Sequence, residues 1–126
     1  MKNLLYIIVV AFLGACDKAD VQLIILNKTN QEVFYIISRD SSINTETEAF
    51  KLNPSPDTNR IGILGGDGAW EYYINKSKDS TAYIYIFNNK YIDKTTLEKN
   101  RFDRIGVTVN MLDEKNWIIM YPEDFK

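Results

Sequence analysis

The run Thr81-Ala82-Tyr83-Ile84-Tyr85-Ile86-Phe87 constrains the fold more than any other part of the chain. It is made almost wholly of β-branched and aromatic side chains, which fit a pleated surface and lose rotamer freedom in a helix. Asn88 and Asn89 close it with turn chemistry. Similar runs recur: Val21 to Leu26, Glu32 to Ile37, Arg60 to Leu64, Arg104 to Val109, and Trp117 to Tyr121 before Pro122. The first two are apolar at alternate and intervening positions alike, so both of their faces are expected to be covered. Asn27 to Gln31 lies between them as a polar turn and predicts a hairpin. Arg39 to Asn59 is rich in Ser, Thr, Asn and Asp, with room for one short edge strand over Ala49 to Leu52. Asp67 is placed to cap a helix over Ala69 to Asn75, and Thr95 or Thr96 to start another through Asn100. Asn110 to Asn116 is a polar or helical turn. These elements predict a mainly β fold (β-rich α+β): an antiparallel sheet or sandwich of six to seven short strands with two or three short helical inserts.

The N-terminus follows a different logic. Lys2 supplies a positive charge, and Leu4 to Leu13 is a continuous apolar run ending in Gly14 and Ala15. A membrane-spanning helix needs about 20 apolar residues, so this run has the length of a signal-peptide core instead. Leu13-Gly14-Ala15-Cys16 resembles a lipobox, at which a diacylglyceryl group is attached to the thiol and the chain is cut just before it. Cys16 is the only cysteine, so it has no internal disulfide partner. The expected organisation is a signal peptide over 1–15, a tether over 16–20 and a single domain over 21–126. The four residues after Cys16 reach at most about 14 Å. Lipid on Cys16 makes the membrane the first expected partner.

Composition removes much chemistry. The chain has no histidine, and with it go Ser/His/Asp sites, Cys/His sites and most catalytic zinc sites. With Cys16 assigned to lipid no thiol nucleophile is left, and no serine has a lysine three residues later. Removal of residues 1–15, whose only charge is Lys2, leaves 111 residues and a formal charge of −3. Scattered positives on a mildly acidic chain speak against nucleic acid as a partner. Gly65-Gly66-Asp67-Gly68 lacks the Gly-Lys-Ser/Thr ending of a phosphate loop and is expected to be a plain turn. No calcium-loop spacing occurs, and neither a metal nor a cofactor is expected.

What remains is carboxylates and aromatics. Glu46 and Glu48, Asp113 and Glu114, and Glu123 and Asp124 are close acidic pairs, whereas a glycosidase needs two carboxylates facing each other across a cleft. Among the aromatics, Trp70 and Trp117 are expected in the core. Tyr72, Tyr73 and Tyr91 lie near turns, where a sugar-stacking platform and a core position are equally open. Asn27-Lys28-Thr29 and Asn75-Lys76-Ser77 match an N-glycosylation pattern that has little force in a bacterium.

Trp70-Glu71, Ile86-Phe87, Arg104, Leu112 and Asn116-Trp117-Ile118-Ile119-Met120-Tyr121-Pro122, together with the lipobox, carry a resemblance to a family of small Bacteroidetes lipoproteins of unknown function. The resemblance covers roughly residues 60 to 122 and departs at Gly106 and Lys115, where the family usually has Asp and Leu. It implies a lipoprotein with a β-rich fold and helical insertions, and it implies no activity. In that setting Asp79-Ser80-Thr81 resembles an O-glycosylation site of exported Bacteroidetes proteins, with Ser80 as the acceptor. Asp17 resembles an inner-membrane retention signal of enteric bacteria, while acids after the cysteine mark surface export in Bacteroidetes. The expectation is therefore the outer membrane, leaning to its external face. The functional expectation is a non-enzymatic envelope lipoprotein, a small interaction or accessory domain with a protein or glycan partner. The alternative is a small carboxylate-dependent hydrolase, or hydrolase inhibitor, acting on envelope polysaccharide or peptidoglycan.

Overall fold

The computed structural model describes residues 18–43 and 45–126. The signal peptide, Cys16 and Asp17 lie outside the described residues. In chain order the elements are β1 (Ala19–Asn27), β2 (Val33–Ser38), β3 (Thr47–Glu48), β4 (Phe50–Leu52) and β5 (Asn59–Leu64). There follow α1 (Ala69–Asn75), a 3-10 turn (Lys78–Ser80), β6 (Ala82–Phe87), β7 (Tyr91–Ile92), α2 (Lys94–Glu98), β8 (Asp103–Val107), α3 (Val109–Glu114) and β9 (Ile118–Tyr121). The fold is mainly β, as its strand-forming runs require. Among the described residues the strands number nine, because β3 and β7 are two-residue pieces too short to leave a pattern in the sequence.

Two sheets face each other. One has the order β5-β1-β9, with β5 antiparallel and β9 parallel to β1. The other is antiparallel in the order β4-β2-β6-β8. Leu23, Ile25, Ile61 and Ile119 of the first pack with Val33, Leu52, Ile84, Ile86, Ile105 and Val107 of the second to form the main core. Trp70 and Ile74 of α1 and Leu112 of α3 complete it. On β6 the alternation is sharp: Ala82, Ile84 and Ile86 enter this core, while Tyr85 and Phe87 face the other way. There they meet Ile92, Ala49 and Phe102 beneath the excursion that carries β3, β7 and α2.

The expected hairpin between the first two strands does not form, since β1 and β2 belong to different sheets. Asn27 explains this. It is fully buried, and its amide donates to Gln31 O at 2.7 Å and Leu52 O at 3.3 Å while its oxygen takes the Thr29 N–H at 3.1 Å. The polar segment is therefore a corner between layers. The expected tether also ends early, because Ala19 and Asp20 are already part of β1 and Asp20 is buried. Asp67 is exposed and does not cap α1, whose N-cap is Gly68. Asp93 and Thr108 cap the other two helices through hydrogen bonds to Thr96 N and Met111 N. At Gly106 a Cβ would lie 3.2 Å from both Thr81 Cγ2 and Tyr83 Cε1, so a larger residue there requires those side chains to give by a few tenths of an ångström.

Candidate functional site

Along one side the two sheets do not close. β5 is the last strand of its sheet, and β4 pairs with β2 only from Val33 to Tyr35, where the chain leaves toward β3. From Ile36 onward β2 has a partner on one side alone, β6. A cleft of about 300 Å³ lies between these two unpaired edges, with Ile61 to Ile63 on one wall and Tyr35 to Ile37 on the other. Phe50 stands at its rim, 65% exposed.

Trp70 and Tyr73 of α1 make its floor. Trp70 is fixed twice: its indole N–H donates to Ile61 O at 3.0 Å, and its backbone N–H donates to the buried Asp20 carboxylate at 3.1 Å. Asp20 thus serves the helix end that Gly68 leaves without a side-chain cap. One turn on, Tyr73 meets Trp70 edge-to-face at 5.9 Å. The Arg39 guanidinium lies over the Tyr73 ring at 4.5 Å. Tyr35 and Phe50 contact each other at 5.5 Å across the β2–β4 pair. Burial pushes the Tyr35 hydroxyl above its ordinary pKa, and it pushes Tyr73 up as well despite the opposing Arg39 charge. Both therefore remain neutral donors at physiological pH. Past Ile63 and Tyr73 the cleft continues into a groove of about 590 Å³, lined also by Leu64 and Tyr72.

The acidic pairs are not gathered here. Glu46 accepts from Lys94 N at 3.1 Å and Glu48 pairs with Lys90 at 2.7 Å. Asp113 accepts from the Trp117 indole at 2.8 Å, and Asp124 takes Lys115 at 2.9 Å and Met120 N at 2.8 Å. Burial opposes charge on Asp124, but those two donors outweigh it and hold the carboxyl below its usual pKa. Glu48 is the one carboxylate among the cleft-lining residues described. Glu71 has one buried oxygen with no hydrogen-bond partner among the described residues. No group of three His, Cys, Asp or Glu residues converges among them either.

The aromatics divide by location. Trp70 and Trp117 are in the core, Tyr72 and Tyr91 are exposed, and Tyr73 is half-buried at the cleft. Tyr91 sits on β7, on the far side of the four-stranded sheet, so the tyrosines near turns do not form one platform. Tyr35 and Phe50, which line the cleft, and Arg39, which lies over Tyr73 in the adjoining groove, carry no distinguishing sequence signal. Phe50 matters only because β4 ends where β2 continues. The glycine segment is a turn, with Gly65, Gly66 and Gly68 all at positive φ. Ser80 is exposed and follows Asp79 in the left-handed region. No protein-family model, curated protein or solved structure matches the chain.

Proposed function

We propose that this protein is a non-enzymatic lipoprotein of the bacterial outer membrane whose cleft takes an extended segment of an envelope protein. The observation that carries this reading is the pair of unpaired strand edges, β5 and Ile36 to Ser38, bounding one apolar, aromatic-floored cleft. Unpaired edges offer backbone donors and acceptors to an incoming strand, while side-chain pockets between them select its residues. A carboxylate pair across the cleft would favour hydrolysis, and only Glu48 lines it among the residues described. The Cys16 lipid supplies the anchor, and the external face of the membrane is the preferred location.

A photo-reactive benzoylphenylalanine at position 50, compared with one at position 91, tests the cleft in cells making the full chain. The expected result is a discrete polypeptide adduct from position 50 that position 91 does not give. An adduct whose added mass is removed by glycosidases points to a glycan instead. Release of soluble fragments from purified peptidoglycan or envelope polysaccharide restores the hydrolase reading.

A further inference from the structure

We infer that the loop after β5 and the Tyr72 side of α1 form a seat for the bilayer that holds the Cys16 lipid. This rests on the lipoprotein reading above, and the occupant is the membrane surface itself. The argument begins where the chain enters the fold. Gly66 N–H donates to Lys18 O at 2.6 Å, so the strand entry is pinned to the loop. Two peptide steps separate Lys18 from Cys16, a span of about 7 Å at most. Wherever those two residues point, a bilayer holding the Cys16 acyl chains lies within reach of Gly66.

The surface at that point carries exposed apolar side chains beside one exposed ion pair, Lys18 with Asp67 at 4.0 Å. Leu64, paired with Ala19 at the end of the sheet, is 76% exposed. Val21, 44% exposed, lies on the same outer face, close enough that a Cβ on Gly62 would meet it at 3.3 Å. Tyr72, 64% exposed, shares a groove with Leu64. A leucine in this setting is covered by lipid, and a tyrosine sits well at the headgroup level with its ring inward and its hydroxyl wet. Arg39 lines the same groove, and Lys76 lies 5.7 Å from the Tyr72 ring, which places cations where lipid phosphates would be. So small a patch orients the domain without anchoring it. Because the groove runs into the cleft through Ile63 and Tyr73, one end of the cleft then opens at the bilayer, and its partner segment is juxtamembrane.

The test uses full-length chain, processed and lipidated in cells, reconstituted into phosphatidylcholine vesicles with or without bromine on the acyl chains near the headgroup. Leu64→Trp reports from the seat and Tyr91→Trp from the far side of the fold, both at exposed positions that leave the core untouched. Both proteins should float with the vesicles. After subtraction of the wild-type emission of Trp70 and Trp117, Leu64→Trp emission should shift to the blue and fall by half or more in brominated vesicles, with Tyr91→Trp emission unchanged between the two. Flotation with equal, weak quenching at both positions overturns the seat and leaves the anchor standing. Failure of both to float, matching a Cys16→Ser control, overturns the anchor and the seat with it.

Discussion

Along the β8–β9 side the two sheets are joined by specific bonds, whereas along the β5–β2 side they part around a cleft. On the joined side Tyr121 of β9 donates to Asp103 of β8 at 2.7 Å, and the backbone of Lys126 pairs with that of Arg104 in both directions. Phe125 packs edge-to-face on Tyr121 at 5.3 Å and fills the seam. The C-terminal residues thus cover the β8 edge, which would otherwise present unpaired backbone. On the open side no segment among the described residues does the same for β5 or for Ile36 to Ser38. The β8 edge is thus covered, whereas among the described residues β5 and Ile36 to Ser38 have no strand partner on the cleft side, where only the Ile61 carbonyl is taken, by the Trp70 indole.

The joined side should be where the fold is most easily broken. Trp117, buried beside α3, is held in a left-handed conformation with its N–H on Leu112 O at 2.7 Å. Trp117→Ala should cost about 3 to 5 kcal/mol, read from denaturant unfolding. A midpoint close to wild type would mean that the seam carries little of the stability. Next comes the floor of the open side. Asp20→Ala leaves the Trp70 N–H buried and unpaired, for a loss of about 1 to 3 kcal/mol, and Asp20→Asn should recover much of it. The same substitution is a poor probe of any export signal after Cys16, because it acts on the fold.

Smaller effects sharpen the contrast. Burial and the Asp103 partner push the Tyr121 hydroxyl up to about 12, so it is a proton donor throughout the physiological range. Tyr121→Phe should remove that donation at a cost of about 1 kcal/mol. Asp124→Asn should destabilise less, and with a pH signature. The folded carboxyl titrates below its unfolded value, so its contribution is complete above the ordinary carboxylate pKa and is lost as pH falls through the folded one. Wild type and variant should therefore converge in acid, and a constant gap across that range would show that the charge is irrelevant. Smallest of all, Phe50→Ser on the open rim should change stability by no more than about 0.5 kcal/mol while reducing adduct formation from a photo-reactive group at position 37. An equal loss of stability would make Phe50 part of the core and weaken the cleft as a binding surface.

The sequence by itself determined the longer strands, though not β3 and β7, nor that Val109 would open α3 and not end β8. Alternation on Ala82 to Phe87, the aromatic and β-branched runs, and the turn chemistry of the glycine segment are local properties of the chain. Tertiary structure alone decided which strand lies beside which. Asn27 to Gln31 has the same polar character whether it closes a hairpin or turns a corner between sheets, and the choice depends on Leu52 O, 25 residues away. Asp20 looked like tether because its partner, the Trp70 N–H, is 50 residues distant. The cleft was invisible for the same reason: an unpaired edge is the absence of a neighbour, and propensity acts on each residue where it stands while pairing is settled by packing across the whole domain.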